Sequence, residues 1–183
     1  MKSLSFSLLI ILVMVFAGSC EQPDPPIFEN PIDTTTIPGV DPPLNPALVI
    51  FVDTDNVTVG STVKISVHAR VVEQLSGVHI QLNYDNQKMQ YLSVTLGELF
   101  SASEDSWIFD EDDGGQGVLD IYTSYLNPNN VDISGTGQIV ELRFEAVATG
   151  DAIFSFDEQE SQFVDAEDVE IEILEFVGGV VHV

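Results

Sequence analysis

From Ala47 to the end of the chain, apolar and polar residues alternate singly, the pattern of strands rather than helices. Over residues 62–72, Val63, Ile65, Val67, Ala69 and Val71 fall on one side and Lys64, Ser66, His68 and Arg70 on the other. The same period recurs where Val78, Ile80 and Leu82 alternate with His79, Gln81 and Asn83. It returns in Val140, Leu142, Phe144, Ala146 and Ala148 against Glu141, Arg143 and Glu145, and in Val169, Ile171 and Ile173 against Glu170 and Glu172. Further strands are predicted over residues 48–52, 90–95, 118–126, 152–156 and 179–183. Gly60, Gly77, Gly97, Gly135, Gly137 and Gly150 fall at turns or bulges between them. The count is about nine strands, each with one dry and one wet face, as in packed antiparallel sheets. An all-β sandwich or jelly roll follows for residues 47–183. The last predicted strand reaches Val183, so no further domain is expected after it.

Residues 1–46 follow a different pattern. Lys2 precedes the apolar run Leu8-Leu9-Ile10-Ile11-Leu12-Val13-Met14-Val15-Phe16, and the small residues Ala17-Gly18-Ser19 precede Cys20. A basic start, an apolar centre and small residues at a cut site describe an export signal, to be set aside from the fold. The run falls well short of the roughly 20 residues of a membrane-spanning helix. Cys20 just beyond the small residues resembles the lipobox of bacterial lipoproteins, although Ala17 stands where Leu is usual. The resemblance implies a signal peptide over residues 1–19 and lipidation of Cys20, which becomes the first residue. Glu21 follows it rather than the Asp that often retains lipoproteins on an inner membrane, which favours an outer membrane or the cell surface. Residues 20–46 carry Pro23, Pro25, Pro26, Pro31, Pro38, Pro42, Pro43 and Pro46, which bias the chain toward extended polyproline conformation. Such a tether lifts a domain off a surface by about 3 Å per residue where extended. Ile27-Phe28 is the one pair in it that could dock on the domain.

Composition narrows the partners. All 30 acidic residues lie beyond Cys20, against Lys64, Arg70, Lys88 and Arg143, and the net charge is −25. This argues against nucleic acid and an anionic lipid face as partners, and fits a basic or cation-bearing partner or a high-salt setting. Cys20 is the sole cysteine, so the domain has no disulfide and relies on packing. The acidic stretch over residues 104–113 reads as a solvated loop between strands, with Trp107 and Phe109 as a core plug. Asp110 and Asp112 have a spacing suited to Ca²⁺, yet the twelve-residue EF-hand pattern is absent. Asp53-Thr54-Asp55 begins like such a loop and fails at Val57, so no metal site is assigned. His68, His79 and His182 are scattered, the domain has no cysteine nucleophile, and no Gly-x-Ser-x-Gly elbow occurs. Nothing marks an enzyme.

A series of segments resembles the cohesin family. Leu75-Ser76-Gly77-Val78-His79-Ile80-Gln81-Leu82-Asn83-Tyr84-Asp85 is similar to its signature strand, which opens on Gly and ends in Tyr-Asp. Met89-Gln90-Tyr91-Leu92-Ser93-Val94 and Leu96-Gly97-Glu98-Leu99-Phe100 resemble the next strand and its Gly-Leu-Phe turn. Upstream, Val57-Thr58-Val59-Gly60-Ser61-Thr62-Val63-Lys64-Ile65 is similar to the family's second strand region. Ser134-Gly135-Thr136-Gly137-Gln138-Ile139-Val140 and Gly178-Gly179-Val180-Val181-His182-Val183 resemble its Gly-rich turn and closing strand.

The resemblance implies a nine-stranded antiparallel jelly-roll sandwich, similar to carbohydrate-binding modules, that binds dockerins. Dockerins are small calcium-loaded helical modules usually fused to polysaccharide-degrading enzymes, so any Ca²⁺ belongs to the partner. It further implies docking across strands near residues 78–85, 89–94 and 118–126, with His79, Gln81, Asn83, Asp85, Gln87, Gln90 and Tyr122 as outward candidates. From the residues alone, His79, Gln81 and Asn83 form a polar ladder that also suits an ordinary solvated face. Asp85 and Asn86 suit a turn in which side chains bond back to local backbone. The leading expectation is a membrane-anchored adaptor that recruits a dockerin-bearing protein. One rival is a carbohydrate-binding module, which needs two or three exposed aromatics in line, with Tyr91, Tyr122, Tyr125 and Trp107 available. The other is a structural surface lipoprotein without a dockerin.

Overall fold

The computed structural model describes residues 45–54, 56–101, 106–125 and 133–183. The expected signal peptide, Cys20, Ile27-Phe28, the tether up to residue 44, and Asp55 lie outside the described residues. In chain order the strands are β1 (Ala47–Val52), β2 (Thr62–Leu75), β3 (Gly77–Tyr84) and β4 (Met89–Leu96). After the one-turn helix α1 (Glu98–Ser101) come β5 (Ser106–Asp112), β6 (Val118–Tyr125) and β7 (Ile133–Ala146). The last are β8 (Asp151–Phe156), β9 (Gln162–Val164), β10 (Glu175–Val177) and β11 (Gly179–His182).

Two sheets face each other: β10-β1-β2-β7-β4, and β11-β8-β3-β6-β5 with β9 beside β3. The all-β sandwich is as expected. Pairing is antiparallel except for β1 and β10, which run parallel with Ala47 opposite Glu175. The alternating residues of the sequence supply the core. Val63, Ile65 and Val67 from β2, and Leu142 and Phe144 from β7, meet Ile80 and Leu82 from β3 and Leu119 and Ile121 from β6. Each such side chain contributes about 1.5–3 kcal/mol on burial. Phe144 sits at the centre, edge-on to Tyr84, Tyr91 and Phe154 at 5.1, 5.6 and 5.1 Å.

Gly97 shows how a turn positions the core. A Cβ there would lie 2.3 Å from the carbonyl oxygen of Gln138, so only glycine lets the end of β4 press against β7. The Gly97 carbonyl then accepts from the amides of Phe100 and Ser101, starting α1 and sending Phe100 fully into the core. The β2–β7 pair is irregular, with register shifts after Val67, Ala69 and Val72. Val71 and Gln74 take left-handed φ values of 52° and 57° there. Their amides leave the ladder and donate to Thr136 Oγ1 at 2.9 Å and Ser134 Oγ at 3.0 Å, so the bulges leave neither donor unsatisfied.

Gly135 and Gly137, expected at turns or bulges, lie inside the long strand β7 at the register shifts of its pairing with β2. Three local expectations change. Residues 169–173 form one bridge, Val164 to Glu170, instead of a strand. Asp165 Oδ1 there accepts from the amides of Glu167 and Val169, a turn that diverts the backbone from a ladder. Residues 106–112, expected in a loop, form edge strand β5 along β6. Trp107 and Phe109 are not a core plug: on β5 they face outward, 39 % and 51 % exposed. The short strands β9 and β10 were not expected, being only three residues each.

Candidate partner-binding face

Alternation on β3 buries Val78, Ile80, Leu82 and Tyr84 and turns His79, Gln81 and Asn83 to the outer face. The neighbouring strand β6 buries Leu119, Ile121 and Thr123 and turns Asp120 and Tyr122 the same way. The registers join these residues into rows. His79 lies opposite Tyr122, and Tyr122 opposite Phe109 of β5. Gln81 lies opposite Asp120, and Asp120 opposite Glu111. Asn83 lies opposite Val118 on one side and Ser155 of β8 on the other.

The first row is a stack of rings. His79 and Tyr122 lie face to face, with centroids 4.3 Å apart and planes 5° from parallel. Phe109 leans on the far side of Tyr122 at 6.0 Å and 39°. Asp120 fixes the stack from the second row. Its Oδ1 pairs with His79 Nε2 at 2.8 Å and accepts from Gln81 Nε2 at 3.0 Å. Desolvation, then the charges of Asp120 and Glu111, push the Tyr122 phenol above its ordinary range and keep it protonated. Trp107 extends the aromatic strip along β5, and Ile153 of β8 and Val180 of β11 are exposed across the sheet.

Four candidates, His79, Gln81, Asn83 and Tyr122, are therefore brought together. Asp85 is held in the β3–β4 turn, where it accepts from the amide of Gln87 at 3.1 Å and pairs with the Lys88 ammonium. Its hydrogen bond with Lys88 is the main cause that holds its carboxyl below the usual range, against the opposing effect of desolvation. Gln87 lies in that exposed turn. Gln90 lies on β4, which belongs to the opposite sheet and pairs with β7, so it does not join the face. The chain crosses between sheets at the β3–β4 turn, so the strand next in sequence is not the next in space.

Sequence reasoning missed Trp107, Phe109, Glu111 and Asp120. Asp120 was within reach, since it alternates with Leu119 and Ile121 and shares a side with Tyr122. The β5 residues were hidden because three of its four inward positions, Ser106, Asp110 and Asp112, are polar, with Ile108 the exception. Asp110 Oδ2 accepts from Tyr91 Oη at 2.8 Å and Asp112 Oδ1 from Tyr84 Oη at 2.9 Å. These two carboxylates, the Ca²⁺ candidates, have tyrosine partners, and no His/Cys/Asp/Glu cluster among the described residues is arranged for a metal. Of the aromatics available for a sugar platform, Tyr91 packs on Phe144 and Tyr125 lies near Phe100, which leaves Tyr122 with Trp107 and Phe109.

The described residues thus form a two-sheet β-sandwich whose outer face is lined by aromatic rings and carboxylates. The cohesin domain model matches residues 48–180, and the chain belongs to the cohesin family, whose members are non-catalytic binding modules. Among solved structures, it is similar to a type II cohesin domain from the cellulosome of Acetivibrio cellulolyticus. The TM-score is 0.67 at 15 % identity, covering 75 % of this chain and 95 % of that one. The sixth cohesin of the same organism's scaffoldin B, solved in complex with a mutant dockerin, matches with a TM-score of 0.61 at 21 % identity, over 76 % and 99 % of the two chains. A non-cellulosomal cohesin from the archaeon Archaeoglobus fulgidus matches with a TM-score of 0.59 at 14 % identity, over 74 % and 90 %. No curated protein matches the sequence.

Proposed function

We propose that this chain is a lipid-anchored cohesin that recruits a dockerin-bearing protein across the outer face of β3, β5 and β6. The observation that carries this reading is the His79–Tyr122–Phe109 stack fixed by Asp120, a rigid aromatic anchor of the kind that dominates protein interfaces. The cohesin of scaffoldin B was solved with a dockerin, and the membership of this chain in the same family extends that partner to it. The rival sugar platform needs aromatic faces open to solvent. Here the closest rings, His79 and Tyr122, cover one face of each other.

The remaining parts of the proposal come from the sequence. Cys20 carries the lipid on an outer membrane or cell surface, residues 20–46 space the domain from it, and the partner brings polysaccharide-degrading activity. The domain itself has no catalytic role and uses no metal of its own. The test is capture of calcium-loaded dockerin proteins by the full chain, with chelator and insoluble polysaccharide as parallel arms. Calcium-dependent dockerin capture supports the reading, and retention on polysaccharide without any dockerin binding refutes it. Cys20→Ala should move the chain from the membrane to the soluble fraction, and unchanged fractionation overturns the anchor.

A further inference from the structure

The distribution of charge over the two sheets is one-sided. No strand of the β11-β8-β3-β6-β5 sheet carries a Lys or Arg: Lys64 and Arg70 are on β2, Arg143 on β7, and Lys88 in the β3–β4 turn. Each already faces an acid there. Lys64 and Arg143 meet Glu141 at 3.5 and 3.2 Å, Arg70 meets Glu175 at 2.5 Å, and Lys88 meets Asp85.

The outer face of the candidate sheet carries carboxylates without such partners. Asp120 pairs only with His79 and Gln81 among the described residues, and Asp151 lies 2.7 Å from His182 Nδ1. The side chain of Glu111, exposed on β5, makes no hydrogen bond or ion pair to described residues and stands directly opposite Asp120. Like charges directly opposite on neighbouring strands repel, and no Lys or Arg among the described residues pairs with either acid. Beside them lie the exposed rings of Trp107 and Phe109. A pair of acids without Lys or Arg partners next to an apolar strip is complementary to a surface that is apolar at its centre and cationic at its edge.

We propose that the partner docked on this face is selected for Lys or Arg side chains that reach Glu111 and Asp120 while its apolar residues cover Trp107 and Phe109. This rests on the dockerin reading above and specifies the chemistry of the dockerin surface. A dockerin with an acidic docking helix is then a poor partner even when its fold is intact, because like-charge juxtaposition rejects it, and a neutral one lacks the attraction.

The experiment uses the full chain and a panel of calcium-loaded dockerin modules whose docking helices range from basic to acidic. The basic members should bind, and raising NaCl from about 50 to 500 mM should weaken them roughly tenfold, since screening shortens the reach of exposed charges. Glu111→Lys should slow association by about tenfold and Glu111→Gln by less, as expected for charges that steer encounter. Glu73→Lys, an exposed change on β2 of the other sheet, should leave the rate within about twofold. Circular dichroism checks that each variant is folded. If no dockerin of any charge binds, the parent reading falls and this one with it. If dockerins bind with affinity independent of their charge, of salt and of Glu111→Lys, this inference falls and the parent reading stands.

Discussion

Tyr91→Phe isolates a single bond that ties the two sheets together. Tyr91 is on β4 and Asp110 on β5, the outermost strands of the two sheets on one side of the sandwich, and the phenol donates to Asp110 Oδ2 at 2.8 Å. The substitution removes the hydroxyl and leaves the ring against Phe144. A hydrogen bond to a charged group is worth about 1.5–3 kcal/mol, and water can reach this half-buried carboxylate, so the lower end applies: a loss of about 1.5 kcal/mol. For a domain of this size that lowers Tm by about 5 °C.

The pH dependence has a defined sign. Burial, and then the hydrogen bonds to Asp110 and Asp112, push the phenols of Tyr91 and Tyr84 above their ordinary range. The folded state therefore holds these protons more tightly than the unfolded chain, whose tyrosines titrate near pH 10. The resulting stability is complete below about pH 10 and is lost as pH rises through the folded values. Tyr91→Phe should flatten that alkaline decline as well as lower stability at neutral pH. Urea denaturation at pH 7 and above pH 10, with Asp110→Asn closing a double-mutant cycle, measures both. A Tyr91→Phe protein within about 0.3 kcal/mol of the parent, with an unchanged alkaline limb, would refute the inter-sheet bond.

Gly97→Ala should cost at least about 2 kcal/mol in urea denaturation, because its Cβ meets the Gln138 carbonyl at 2.3 Å and the backbone must shift. Thr136→Val should cost about 1–2 kcal/mol by the same assay, since the Val71 amide loses its acceptor within a bulge. On the docking face, Tyr122→Ala should weaken dockerin binding by about 30-fold, the effect of losing a central aromatic anchor, while Tyr122→Phe stays within about threefold. Calorimetric titration separates the two.

Strands β2, β3 and β7 were legible in the sequence because each has one face buried in the core, so apolar residues fall on every second position. Strand β5 broke the rule in both directions. Its inward carboxylates are satisfied by Tyr84 and Tyr91, and its outward residues include Trp107 and Phe109. Alternation of acids with Val169, Ile171 and Ile173 promised a strand, yet hydrogen bonding by Asp165 made a turn before them. The site was legible as far as one strand pair reaches. His79, Gln81 and Tyr122 meet because β3 and β6 are neighbours. Gln90 separates from them because the chain changes sheet after β3, and local pattern carries no information about that crossing.

Hydroxyl-radical footprinting of the full chain, alone and saturated with a calcium-loaded dockerin, tests the central claim most directly, since it reads side-chain exposure at aromatic residues. The account predicts protection of Trp107, Phe109 and Tyr122, with no change at Leu92, which is 46 % exposed on the opposite sheet. Protection of Leu92 with Trp107, Phe109 and Tyr122 left as reactive as in the free chain would contradict it.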